Sequence, residues 1–229
     1  DGVPVGCVGI GEAKSAAIVA AQIAYYDNIA VRNRIRSARG LEDKLQGPLG
    51  SSPSVAVVKP LKLLYDDLPK KYGAMLKLAF SLGLEVQIYS SSLINPAKLR
   101  ELEYNGMAAI IAFGAFDNFN DGAYVPRIIA EQTDIPVIAV PVTTEVVIDE
   151  HVRGVFAKML GNSMHNDQVT VPVAAMGVNQ FKNAVLFAAQ IVGLYDGEVQ
   201  FNVGKFISAM SMEVEEKDRK LQLLNYLHK

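Results

Sequence analysis

A chain of 229 residues has room for one or two domains, and its formal net charge of −2 lacks the basic excess that attracts nucleic acids or anionic membranes. Half of the residues are apolar and 20% are charged, which is typical of a globular protein with a buried sheet. The single cysteine, Cys7, cannot form an internal disulfide, and the apolar runs are shorter than a membrane span. We therefore expect a cytoplasmic location, or an organelle stroma or matrix, with no nucleic-acid and no membrane partner.

Two stretches of the chain share one pattern. Residues 3–25 read VPVGCVGIGEAKSAAIVAAQIAY, residues 171–193 read VPVAAMGVNQFKNAVLFAAQIVG, and they agree at ten of 23 positions without a gap. Each has a short apolar run, a Gly-containing turn and an Ala-rich stretch, which predicts a buried strand followed by a close-packed helix. The offset of 168 residues is about one domain length. The repeat predicts the end of one domain followed by a complete second domain, with two convergent strand–helix units as the alternative.

Residues 1–46 are the predicted closing fragment of the first domain. The pattern gives a strand at 3–10 and a helix from about Glu12 that ends or bends near Asp27–Asn28, followed by a charged helical stretch at 31–46. The chain enters this core strand at once, without a signal peptide, and we expect that more protein preceded it. The apolar strand is expected to join a sheet, in a remnant first domain or in a neighbouring chain.

Residues 47–54, GPLGSSPS, have the composition of a flexible linker. The letters GPLGS also resemble the remnant of a cleaved expression tag. Either origin places a domain boundary here, with the second domain at 55–229.

The second domain shows regular alternation of apolar runs and helical stretches. The predicted strands are 55–59, 85–90, 108–113, 136–142 and 171–178, and the predicted helices are about 67–82, 96–105, 123–132, 149–161, 179–194 and 212–228. Near-continuous apolar strands separated by helices predict an α/β fold, a three-layer, doubly wound parallel sheet of five strands. In the last helix, a stripe of Val214, Leu221, Leu224 and Leu227 indicates packing against a neighbour, such as another subunit.

Ligands of such sheets bind beyond the carboxyl ends of the strands. The segments IIAFGA (110–115) and PVIAVPV (136–142), with the VPV…AAQI repeats, resemble the aminoimidazole ribonucleotide carboxylase and carboxyaminoimidazole ribonucleotide mutase family of purine biosynthesis. The first copy of the repeat is similar to that family's closing segment, and residues 55–195 resemble a complete domain. The resemblance implies a flavodoxin-like sheet of order 2-1-3-4-5 and an octameric homo-oligomer. It also implies carboxyl transfer on an imidazole ribonucleotide, with neither metal nor organic cofactor.

The segments that carry the family's chemistry depart from its pattern. Where the family has Gly-Ser-x-Ser-Asp after its first strand, this chain reads KPLKLLYDD (59–67). Where the family has Ser-Ala-His-Arg-Thr-Pro after the second strand, SSLINP (91–96) has Leu93 and Ile94 in place of His and Arg. An alkyl side chain cannot transfer a proton or bind a phosphate.

The third signature is changed as well. GAFDNFNDGAYVPR (114–127) has Tyr124 where the family has a histidine and Arg127 where it has a glycine. His151, His165 and His228 do not restore the lost chemistry, since none has a second ligand at metal spacing.

We therefore predict a tandem member of this family in which residues 55–229 are a structural pseudoenzyme without catalytic residues. Remnants of substrate binding are expected at Gly11, Ala13, Lys14, Ser91 and Gly114. A ribonucleotide ligand is expected only in a missing active domain that residues 1–46 close. The alternatives are a non-catalytic scaffold and an enzyme with a changed substrate that uses Lys59, Tyr124 and Arg127.

Overall fold

The computed structural model describes residues 6, 13–41, 44–45, 53–59, 68–115, 125–142 and 172–227. The helices are α1 (Ala13–Ala24), α2 (Ile29–Ala38), α3 (Leu68–Ser81), α4 (Pro96–Tyr104), α5 (Val125–Gln132), α6 (Phe181–Val192) and α7 (Gly197–Leu227). The strands are β1 (Ser54–Lys59), β2 (Val86–Ser90), β3 (Met107–Ala115), β4 (Val137–Val142) and β5 (Val173–Ala175). The predicted helix 149–161 and, apart from Gly6, the predicted strand 3–10 lie outside the described residues.

The strands form one parallel sheet in the order β2-β1-β3-β4-β5. Its register places one residue of each strand in a single row, namely Ile88, Val57, Ile111, Ile138 and Ala174. The three central members of this row are at most 1% exposed, as expected for strands that are covered on both faces. The predicted α/β fold with five parallel strands and the strand order 2-1-3-4-5 are confirmed.

Two groups of helices cover the sheet. On one face, α3 and α6 contribute the buried side chains Met75, Leu78, Ala184, Val185 and Ala188. On the other face, α4 and α5 contribute Leu99, Leu102, Ile129 and Ala130. The small alanines allow α6 to approach the sheet closely. The helices cover the two faces, so polar contacts are made at the edges formed by the amino ends and the carboxyl ends of the strands.

Helix α7 begins fifteen residues earlier than the predicted helix 212–228. Asp196 Oδ1 accepts hydrogen bonds from the backbone N–H groups of Glu198 (2.9 Å) and Val199 (3.1 Å), and so caps the first turn. Val199 and Val203, in the first two turns, are buried in the core beside α6. The start of the helix is therefore held by contacts with the domain. Within the described part of the chain, no helix has the length and hydropathy of a membrane span.

Helices α1 and α2 are separated at the predicted position. The Asn28 side chain accepts a hydrogen bond from Val31 N–H (3.1 Å) and caps α2, and Gly40, at φ 72°, follows its end. The charged helical stretch is therefore shorter than the predicted range 31–46.

Helix α1 lies against β5, and the backbone of Gly6 is so close that an added Cβ would be 3.2 Å from Ala174 Cβ. We expected the partner sheet in a remnant first domain or a neighbouring chain, whereas these residues contact the sheet of the same chain. The division into 1–46, 47–54 and 55–229 stays a prediction.

Candidate functional site

The carboxyl edge of the sheet, where a ligand is expected, is formed by the ends of five strands. Ser91 follows β2 directly, and Gly114 lies in β3 opposite Pro141 of β4. Both residues are therefore at the predicted edge, but β1 lies between their strands, which separates them by about 10 Å.

The other predicted remnants lie at the far side of the sheet. The Tyr26 hydroxyl, two residues after α1, donates to Gly106 O (2.5 Å), directly before β3 at the amino edge. Because α1 is about 18 Å long, its first residues, Ala13 and Lys14, point toward the carboxyl edge beside β5. They are exposed, and β5 lies about 19 Å across the sheet from β2, the strand that precedes Ser91. Gly11 lies outside the described residues, and the substrate-binding role of these five positions stays a prediction.

An aromatic row that the sequence analysis did not identify lies beneath the carboxyl edge. Phe113 makes edge-to-face contacts with Phe181 (centroids 5.2 Å apart) and with Tyr72 (6.1 Å). Lys59 Nζ at the end of β1 lies 5.2 Å from the centroid of the Tyr72 ring. The signal was one aromatic near the start of each of α3 and α6, which their βα connections bring to the same edge.

The aromatic row consists of three rings and the ammonium group of Lys59. The Tyr72 hydroxyl is buried and has no hydrogen-bond partner among the described residues, and burial raises the pKa of Tyr72. A hydroxyl in this state is a weak acid at neutral pH. Because Phe113 is 1% exposed and Phe181 is 3% exposed, these two rings pack in the core, and Tyr72 and Lys59 are the partly exposed members of the row.

The segment after β2 carries alkyl groups where the resemblance places His and Arg. Ser91–Leu93 form one turn of 3-10 helix, and the Leu93 side chain is 60% exposed. Ile94 is partly buried against the core on the α4 and α5 face. Ser90 Oγ and Ser92 Oγ are 3.0 Å apart and hydrogen-bond to each other.

The remaining candidate groups are held locally or lie outside the described residues. Arg127 Nε donates to Glu131 Oε1 (2.8 Å) one turn along α5. Tyr124 and the three histidines are outside the described ranges. Among the residues that the structure describes, no three His, Cys, Asp or Glu side chains are grouped as metal ligands.

The opposite, amino edge of the sheet contains a buried ion cluster of Arg32, Arg36, Glu103 and Asp134. Arg32 binds Asp134 with two hydrogen bonds, Nε to Oδ2 (2.5 Å) and Nη2 to Oδ1 (3.0 Å). Arg36 Nη1 bridges Glu103 Oε1 (2.8 Å) and Asp134 Oδ1 (3.0 Å). All four side chains are at most 3% exposed. The cluster joins α2 to the ends of α4 and α5.

Further hydrogen bonds complete this ion cluster. Thr133 Oγ1 (2.8 Å) and the Asp134 N–H group (3.3 Å) donate to Glu103 Oε1. Arg39 donates to the carbonyl oxygens of Thr133 and Ala130. Arg32, Arg36 and Arg39 are spaced by four and three residues, so they lie on one face of α2, which is the signal that the sequence analysis passed over.

The cluster shifts the pKa values of its two acids in opposite directions. Burial and the neighbouring Asp134 raise the pKa of Glu103 above its ordinary range, although Arg36 acts against this. Burial alone would also raise the pKa of Asp134, but its hydrogen bonds and charge interactions with Arg32, together with Arg36, hold that pKa below the ordinary range. Asp134 is therefore the acid that the arginines keep ionised.

Comparison with known proteins finds a matching family model and several similar sequences. The AIR carboxylase family model matches residues 74–213, more than half of the 229 residues. An N5-carboxyaminoimidazole ribonucleotide mutase from Thermotoga maritima is 32% identical over 165 residues, covering 70% of this chain and 88% of that protein. One from Pyrococcus horikoshii is 29% identical over 165 residues, covering 70% of this chain and 85% of its own length.

A phosphoribosylaminoimidazole carboxylase from Saccharomyces cerevisiae is 30% identical over 183 residues, 75% of this chain but 29% of that longer protein. The residues matched by the family model run from within α3 to within α7. The chain belongs to the AIR carboxylase family.

Proposed function

We propose that residues 55–229 act as a structural pseudoenzyme domain, which keeps the fold of the AIR carboxylase family without its carboxyl-transfer chemistry. The observation that carries the proposal is the pair Leu93 and Ile94 at the carboxyl end of β2. One side chain faces solvent and the other contacts the core. Neither can transfer a proton, which typically contributes 10²–10⁴-fold in rate, or hold a phosphate.

The neighbouring groups support this proposal. No histidine occurs among the described residues, Lys59 lies over the Tyr72 ring, and Arg127 is paired with Glu131 on its own helix. The segment 59–67 also has no serine or glycine in its sequence that could hold a ribonucleotide phosphate. Among the described residues and in segment 59–67, a substrate would therefore find neither the family's anchor nor its acid–base group.

The amino edge suggests what the domain does instead. Its ion cluster holds α2, part of the segment that we interpret as the end of an active domain, against α4 and α5. We infer a scaffold role, in which the domain positions this closing segment. The octameric assembly, the cytoplasmic location and the ribonucleotide ligand of a missing domain stay predictions.

The test is calorimetric titration of the full chain with aminoimidazole ribonucleotide and carboxyaminoimidazole ribonucleotide, together with an assay of carboxyl transfer. The Thermotoga maritima mutase is the positive control. We expect neither binding at micromolar concentrations nor turnover from this chain. Micromolar binding or measurable turnover would contradict the pseudoenzyme and show that the pocket still serves the family's substrate.

A variant separates the two losses that we propose. Leu93→His with Ile94→Arg restores the residue types of the resemblance at the end of β2. We expect no turnover from this variant, because the 59–67 segment still provides no phosphate anchor. Turnover in the variant would show that the rest of the site is intact and that the domain lost only these two groups.

A further inference from the structure

The second half of α7 has an apolar stripe that no described residue covers. The helix has 31 residues and is about 46 Å long, and its first turns are buried beside α6 through Val199 and Val203. Beyond this contact, Val214 is 65% exposed and Leu221 is 60% exposed. An isolated helix gains nothing from such exposure, so the stripe indicates a partner.

The stripe has the spacing of a coiled-coil seam. Ile207, Met210, Val214, Lys217 and Leu221 follow one another at intervals of three, four, three and four residues. The same spacing leads back to the buried Val203 and continues in the sequence to Leu224, which makes three heptads. In heptad terms, Ile207, Val214 and Leu221 occupy a positions, and Met210 and Lys217 occupy d positions.

The charges beside the seam favour one relative direction of two paired helices. In a parallel pair, Lys217 would meet the partner's Lys217 in the same layer, and Glu213 at a g position would face the partner's Asp218. Both contacts join like charges. In an antiparallel pair centred between residues 214 and 217, Glu213 faces the partner's Lys220, and the two Lys217 side chains lie in different layers.

Lys217, a charged residue in the seam, is compatible with the antiparallel pair. Its Nζ is 2.6 Å from Glu213 Oε1 on the same helix, so its charge is already paired beside the seam. Its long alkyl chain can pack beside Val214 of a second helix while the ammonium group stays in water. A single lysine at such a position also fixes the register of a coiled coil.

We propose that α7 pairs with α7 of a second copy of this chain as an antiparallel coiled coil. Val214 packs beside the partner's Lys217, Met210 beside the partner's Leu221, and Glu213 pairs with the partner's Lys220. Val203, where α7 leaves its domain, is about 19 Å from the centre of the pair. The two domains therefore lie at opposite ends of the coiled coil and do not collide.

The first experiment measures the mass of the particle by analytical ultracentrifugation of the full chain. The variant Val214→Asp with Leu221→Asp removes the seam, and we expect it to halve the mass of the wild-type particle. The matched control is Met212→Asp, a 70% exposed residue on the opposite side of the helix, which should leave the mass unchanged. An unchanged mass in the double variant overturns the proposal, provided that circular dichroism shows the same helix content.

The second experiment tests direction and register by disulfide formation in a Cys7→Ser background. A mixture of the Met210→Cys and Leu221→Cys variants should form an interchain disulfide, while each variant alone should form none. Cross-linking of Leu221→Cys with itself would show a parallel pair and overturn the proposal. The absence of a cross-link in the mixture would overturn it as well.

Discussion

The two edges of one sheet differ in their chemistry. At the amino edge, four ionisable side chains are at most 3% exposed and satisfy one another through short hydrogen bonds. At the carboxyl edge, the described groups are aromatic rings, alkyl side chains, the serines at 90–92 and Lys59, whose ammonium lies over Tyr72. Among the described residues, the charged groups are thus concentrated away from the edge where sheets of this kind bind ligands.

This difference shows that the fold does not depend on the residues at the ligand-binding edge. The strands are stabilised by contacts between their own hydrophobic side chains. Residues at the carboxyl edge can therefore be substituted without loss of the fold. The amino edge cannot change as freely, because removing one member of a buried ion cluster leaves another charge without a partner. On the pseudoenzyme proposal, this member of the family has lost a catalytic site and kept a precise internal contact.

The largest expected effect comes from breaking the amino edge with Asp134→Ala. The substitution leaves the Arg32 and Arg36 guanidinium groups buried without their shared carboxylate. We expect the free energy of unfolding to fall by about 3–5 kcal/mol, measured by urea denaturation of the full chain.

The matched control for Asp134→Ala is Glu131→Ala, which removes a partly exposed ion pair with Arg127 within α5, three residues before Asp134. Surface pairs contribute about 0–1 kcal/mol, so this variant should unfold near the wild-type denaturant concentration. Equal losses in the two variants would show that the buried cluster does not stabilise the protein more than a surface pair.

A pair of tyrosine variants compares the two edges directly. Tyr26→Phe removes a hydroxyl that donates to Gly106 O at 2.5 Å, and its loss leaves that carbonyl without this donor. Tyr72→Phe removes a buried hydroxyl that has no partner among the described residues. We expect a loss of about 1–3 kcal/mol for Tyr26→Phe and no loss, or a small gain, for Tyr72→Phe. A substantial loss at Tyr72 would reveal a hydrogen bond to a residue outside the described ranges.

The sequence predicted the fold because its signals are local. Continuous apolar runs at β1, β3 and β4 can only be strands covered on both faces, and the Asn28 cap interrupts the helical pattern where α2 begins. The start of α7 was predicted too late, because its first turns are fixed by Asp196 and by contacts with α6 rather than by a clear stripe.

The ion cluster was not predicted because its partners are distant in sequence. Arg36 is 67 residues from Glu103, and Arg32 is 102 residues from Asp134. An arginine-rich helix alone is more often a solvated surface. At the carboxyl edge, Ser91 and Gly114 lie where the resemblance implied, but the relation of Ala13 and Lys14 to them depends on how α1 is placed beside β5.

A smaller effect concerns the pH dependence of the amino edge. Glu103 has a raised pKa, so between the ordinary carboxyl value of about 4.3 and its own pKa the folded protein binds more protons than the unfolded chain. The free energy of unfolding therefore falls as the pH rises through this window, by at most about 1.4 kcal/mol per pH unit. Asp134, with its lowered pKa, acts in the opposite direction and below this window.

Glu103→Gln isolates the contribution of Glu103, because glutamine resembles the protonated acid and does not titrate. Urea denaturation of both proteins between pH 4.5 and pH 7 should give a wild-type stability that declines relative to the variant as the pH rises. A difference that stays constant across this range would show that Arg36 and Arg100 keep the pKa of Glu103 at or below its ordinary value.

The smallest effect is expected from Lys59→Met at the carboxyl edge. The ammonium group lies 5.2 Å from the centroid of the Tyr72 ring, a contact that contributes about 0.5–1 kcal/mol at a partly exposed site. Methionine keeps a similar length and apolar contact, so the substitution tests the charge rather than the packing. A double-mutant cycle with Tyr72→Leu, measured by urea denaturation, should give a coupling of this size. A loss near 3 kcal/mol would instead mean that Lys59 pairs with a buried acid, and the carboxyl edge would then contain an ion pair like those of the amino edge.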